Sequence, residues 1–100
     1  MKIYLDDERA TPDRWVRVYL PDEAIELLKS GNVAEISLDH DLGDDVRGTG
    51  YDVLLWIEEQ VALNGFVPPV MSVHSANVSE RVKMKSGIRA IEAMMRSSDG

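Results

Sequence analysis

The stretch ISLDHDLG, residues 36–43, decides the fold. Glu35–Leu38 is a short β-prone run, and it gives way at once to Asp39–His40–Asp41, polar side chains that a core would reject. The same pattern occurs twice more. Lys2–Leu5, rich in Ile, Tyr and Leu, stops at Asp6–Asp7–Glu8, and Val70–Val73, introduced by Pro68 and Pro69, stops at His74–Ser75–Ala76–Asn77. A fourth run, Trp15–Leu20, alternates apolar and polar residues and reads as another strand.

Helices fill the intervals. Pro21 and Asp22 punctuate the chain, with Asp22 the expected N-cap of a helix through Leu28 that Gly31 closes. A second helix is expected over Tyr51–Leu63. Leu54, Leu55, Glu58, Val61 and Ala62 mark one face at helical spacing, largely apolar, Val53 and Ile57 widen the stripe, and Gly65 ends it. Asn77 with Glu80 three residues later forms a capping box for a last helix. That helix is expected to weaken near Ser86–Gly87, to resume through Ile88, Ile91, Met94 and Met95, and to fray from Ser97 to Gly100. Glu8–Arg14 reads as a loop, so the order is β, loop, β, α, β, α, β, α. Short strands joined by helices imply an α/β domain over residues 1–100, with a parallel sheet and helices covering its faces.

Composition narrows the function. With 44% hydrophobic and 29% charged residues the chain is an ordinary globular protein, and no apolar run approaches the roughly 20 residues of a membrane span. It has no cysteine, hence no disulfide or thiolate chemistry, and a cytoplasmic location is expected. A net charge of −7 argues against a general DNA-binding surface. It leaves room for a local phosphate site, because acids that hold a divalent cation invert the local field.

In an open α/β sheet, ligands bind beyond the carboxyl ends of the strands, which is where the three polar clusters fall. Carboxylates converging from neighbouring strands suit a hard ion such as Mg²⁺; Asp6, Asp7 and Asp39 are the best candidates, with Asp41 beside them. Asp44 and Asp45 extend the acidic run. His40 and His74, the only histidines, each follow a strand, and as a pair they suit general acid–base work on a phosphodiester. Metal binding, or one ring orienting the other, are the alternatives. The candidate phosphate-binding residues are Ser75, Asn77, Arg81 and Arg47, the last in the loop from Gly43 to Gly50. That loop is neither a Walker loop nor a dinucleotide fingerprint, and a plain turn with a solvated arginine reads it equally well. Trp56, Ile57, Met94 and Met95 are expected in the core, and Trp15 is expected to cap the sheet or shield the site.

Asp6–Asp7, the strand-ending Asp39 and Ser75–Ala76 resemble the response-regulator receiver domain. The resemblance implies metal-binding acids at the first pair, a phosphoacceptor position at Asp39 and a small hydroxyl residue at Ser75. It also implies a flavodoxin-like three-layer sandwich with strand order 2-1-3-4. The departures are large: a loop stands between the first two strands in place of a helix, and the fifth strand with its lysine and the fifth helix are missing. The strings YLDDER, ISLDHDLG, GTGYD and VHSAN are more similar to the receiver variants called cyclic-phosphate processing receiver domains. That similarity implies a phosphoesterase-like activity on a cyclic phosphate, as in a cyclic nucleotide or an RNA end. Asp6, Asp7 and Asp39 would hold Mg²⁺, His40 and His74 would move protons, and Arg47, Ser75 and Asn77 would position the phosphate. The alternatives are a module that binds such a ligand without turnover, and a pseudo-receiver that works through protein contact. Without a fifth strand the fourth is an edge, to be covered by the last helix or paired in a homodimer.

Overall fold

A computed structural model describes residues 1–42 and 47–99, with side chains through residue 96. Its elements are β1 (Lys2–Leu5), β2 (Val16–Val18), α1 (Pro21–Lys29), β3 (Glu35–Leu38), α2 (Gly50–Asn64), β4 (Val70–Val73) and α3 (Val78–Asp99). The four strands form one parallel sheet in the order β2-β1-β3-β4, as expected for a receiver-like scaffold. The second strand is shorter than the alternation of Trp15–Leu20 suggests.

Side-chain alternation sorts the sheet into two unlike faces. Ile3, Leu5, Ile36 and Leu38 are fully buried on one of them. There they meet Ala24 and Leu28 of α1, Val53, Leu54 and Ile57 of α2, and Met84, Ile88 and Ile91 of α3 in one continuous core. Full burial of each Leu or Ile contributes about 1.5–3 kcal/mol. Both crossovers, β2-α1-β3 and β3-α2-β4, travel the same way across the sheet, so right-handedness lays their helices on one face. Contacts of α1 with α2 and of α2 with α3 make the three helices a single layer. The layering is therefore two-fold among the described residues, thinner than the expected three-layer sandwich. The β1–β2 connection is a loop, and it would have to be a helix to cover the other face.

Four local readings are corrected. The helix at Pro21 begins two positions earlier than an Asp22 cap requires: Leu20 is its N-cap, and the Glu23 carboxylate accepts the Leu20 N–H at 2.9 Å. The buried face of α2 is Gly50, Val53, Leu54 and Ile57, while Leu55, Glu58 and Ala62 are exposed. Trp56, Met94 and Met95 are half-buried at the margin of the core, with Trp56 edge-on to Phe66 at 5.4 Å. No break interrupts α3 at Ser86–Gly87, because Met84, Ile88 and Ile91 anchor both sides of it in the core. The expected ends hold elsewhere: Gly65 closes α2 in the left-handed conformation with φ 64°, and the Asn77 Oδ1 accepts the Glu80 N–H at 3.1 Å. The acids Asp44 and Asp45, and Gly43, lie outside the described residues.

Candidate functional site

The uncovered face is built from the alternate positions. Tyr4 pairs in register with Arg17 and Ser37, and Ser37 with Ser72. The ladder continues one residue beyond each strand, with Asp6 N–H bonded to Val18, Asp39 N–H to Leu5 and His74 N–H to Leu38. Asp6, Asp39 and His74 therefore stand level on the uncovered face, two residues on from Tyr4, Ser37 and Ser72.

His74 lies flat over this face. Its ring stacks on Tyr4 with centroids 4.2 Å apart and planes 4° from parallel, and Trp15 packs edge-on against Tyr4 at 6.1 Å. His74 Nδ1 is 2.7 Å from Ser37 Oγ, and Nε2 is 3.0 Å from Asp6 Oδ2. Asp6 is fully buried, and its Oδ1 accepts the backbone N–H groups of Glu8 and Arg9 at 2.8 and 2.9 Å. One ligand atom each from Asp6, Asp39 and His74 lies within 4.8 Å of the others, the one such metal-competent group among the described residues.

Electrostatics divide the labour. Burial raises the Asp6 pKa, but the Arg9 and Glu8 N–H donors and the His74 ring outweigh it, and the carboxyl ends below its ordinary value. Burial and the neighbouring Asp6 charge push Asp39 up. Burial pushes His74 down despite both carboxylates, so at neutral pH it is a neutral imidazole whose Nε2–H is donated to Asp6.

A cleft of about 260 Å³ opens beside the two carboxylates, lined by Asp6, Asp7, Glu8, Arg9, Asp39, Asp41 and Ala76, with His74 outside its lining. Arg9 is the cation of the cleft. Its Nη1 donates to the His74 carbonyl and stands 4.0 Å from Asp6.

The other candidates are placed elsewhere. His40 lies between Asp41 Oδ1, 2.8 Å from Nδ1, and Glu80 Oε2 of α3, 3.2 Å from Nε2. Neither His40 ring nitrogen meets a His74 partner, so the two imidazoles serve separate networks. Arg47 pairs with Asp22 at 3.5 Å, and Arg81 donates to the Ser75 carbonyl at 3.3 Å. Ser75 is buried, and its Oγ accepts the Asn77 N–H at 3.2 Å. These are local structural bonds at the start of α3. Gly50 is needed where α2 begins, since a Cβ there would sit 1.8 Å from the Asp39 carbonyl oxygen.

Tyr4, Ser37, Arg9 and Glu80 join these networks without having been assigned to the site from the sequence. For Tyr4 and Ser37 a signal existed: each precedes a rim acid by two positions on its strand, and so shares its face. For Arg9 the signal was its place at the end of YLDDER, and Glu80 was read only as a helix-capping residue.

A parallel sheet of order 2-1-3-4 with acids beyond β1 and β3 defines a receiver-like α/β domain. A family model described as the cyclic-phosphate processing receiver domain matches residues 1–90, and the chain belongs to that family. No curated protein and no solved structure gives a match. No helix among the described residues is long and apolar enough to cross a membrane.

Proposed function

We propose that this domain hydrolyses a cyclic phosphodiester, of the kind carried by a cyclic nucleotide or an RNA end, in the cleft that Asp6 and Asp39 line, with His74 bonded to Asp6. The observation that carries the reading is the convergence of two buried carboxylates that line an open cleft, with the His74 imidazole within 4.8 Å of both. The donor set fits a hard divalent cation such as Mg²⁺: Asp39 is buried beside a second carboxylate that raises its pKa, a repulsion that a cation relieves. Asp6 and Asp39 would hold the ion, with Asp7 and Asp41 at the rim. When bound, it would draw charge from the phosphoryl oxygens.

The chain's own residues supply the rest. Arg9 faces the cleft and can fork onto a phosphate oxygen, the role expected from the sequence for Arg47 and Arg81. His74, held neutral, is the proton carrier nearest the carboxylates, and its Ser37 and Asp6 bonds orient the ring. Water adds across one P–O bond of the ring and leaves a phosphomonoester and a free hydroxyl.

Incubation with a 2′,3′-cyclic nucleotide and Mg²⁺, followed chromatographically, tests this. Product is expected from the unaltered chain, with a loss of about 100-fold or more in Asp39→Asn. A second reading, capture without turnover, is favoured by one observation: both nitrogens of His74 and both oxygens of Asp6 already have partners. Saturable binding with no product would select it, and neither binding nor product would overturn both.

A further inference from the structure

Strand β4 is an edge of the sheet. Val70 and His74 direct their N–H groups inward, to Ala34 and Leu38. By alternation, Met71 and Val73 turn their N–H and C=O groups outward along an edge that no described residue pairs with. Beside that edge, two grooves of about 370 and 220 Å³ separate β4 from α3. Met71 lines both of them, with Val73 and Ile88 in one and Met95 in the other. Val70 at the same edge is 68% exposed.

We propose that this edge pairs with a second copy of the chain, antiparallel about a two-fold axis at Ser72, to make a continuous eight-stranded sheet. This goes beyond the hydrolytic reading and does not depend on it.

The register follows from the backbone. Opposed residues in an antiparallel pair must both face the partner or both face away, so the axis passes through a residue and not between two. An axis at Met71 sets Val73 opposite Pro69, which has no N–H. An axis at Val73 sets Met71 opposite Ser75, which is 2% exposed and buried in its own chain. An axis at Ser72 sets Met71 opposite Val73 in both directions, and all the outward groups of the two residues find partners.

Charge selects a second copy as the occupant. Helix α3 runs back along β4, with Lys85 and Arg89 beside Met71–Val73 and Glu92 beside Pro68–Met71. The two-fold reverses this order, bringing Lys85 and Arg89 of one copy toward Glu92 of the other. None of the three forms an ion pair with a described residue of its own chain. The same register sets Val70 of each copy opposite His74 of the other on the uncovered face, so each subunit adds an apolar wall beside its neighbour's imidazole.

The chain has no cysteine, which makes the dyad directly testable. Ser72 is exposed and lies opposite itself in a closely spaced pair, so Ser72→Cys should form a disulfide-linked dimer under mild oxidation. Ser30→Cys, exposed at the end of α1, should not. Analytical ultracentrifugation of the unaltered chain should give a dimer. Lys85→Glu should weaken it by about tenfold, and Lys85→Glu with Glu92→Lys should restore it. A monomer at high micromolar concentration, or Ser72→Cys crosslinking no faster than Ser30→Cys, would overturn the proposal. So would a dimer indifferent to both charge variants.

Discussion

His74 and His40 follow neighbouring strands, yet they belong to separate hydrogen-bond networks. His74 is the first residue beyond β4 and falls on the uncovered face with Asp6, Ser37 and Tyr4. His40 is the second residue beyond β3, one position past Asp39, and its ring reaches α3 through Glu80. A difference of one residue decides which face a side chain joins, because the strand period is two. The two imidazoles are equal in type, and their different offsets past the strand ends, with the turn that follows each strand, tell them apart. One is locked into a buried Ser–His–Asp chain, while the other bridges two carboxylates at the start of a helix.

The comparison can be broken from the His40 side most forcibly. The Gly50 N–H bonds the His40 carbonyl at 3.2 Å, and a Cβ at Gly50 would meet the Asp39 carbonyl oxygen at 1.8 Å and Met84 at 3.2 Å. Gly50→Ala should therefore cost about 3 kcal/mol or more in chemical denaturation. On the His74 side, Ser37→Ala leaves Nδ1 half-buried without its partner. A loss of about 1–3 kcal/mol is expected, with a change in the imidazole titration followed by NMR.

The pH dependence should sharpen the contrast further. His74 is held below its ordinary value of 6.5, so the native state disfavours the proton that the unfolded chain takes up. Its contribution is fully present above 6.5 and is lost as pH falls from there toward the folded value. Asp39 acts in the opposite sense in the range above its ordinary 3.8, where the native state holds the proton more tightly than the unfolded chain does. Stability measured from pH 7.5 downward should fall first, and His74→Gln should abolish that initial fall. The smallest effect belongs to Glu80→Gln. Its pair with His40 is partly exposed, and the change should cost less than about 1 kcal/mol by thermal unfolding.

The strand ends were the most legible part of the sequence. Each of Asp6, Asp39 and His74 interrupts an apolar run at the point where the ladder stops, and the sheet order followed from the resemblance those residues carry. Layering was less legible, because helix and strand patterns do not say which way each crossover turns. The α2 stripe was misplaced toward Leu55 and Ala62 because apolar residues surround most of that helix. Local composition around Ser86–Gly87 suggested a break, but tertiary packing of Met84, Ile88 and Ile91 overrides it. That Asp6 and Asp39 would converge at the strand ends was read directly, while Asp7 lines the cleft outside the converging group. The separation of the two histidines was not, because it depends on how the chain turns after each strand.

One comparison of variants tests the central claim, that the working imidazole is the one on the uncovered face with Asp6 and Asp39. Hydrolysis of a 2′,3′-cyclic nucleotide should fall by about 100-fold or more in His74→Ala and by less than about threefold in His40→Ala. Equal losses in both variants, or loss in His40→Ala alone, would contradict it.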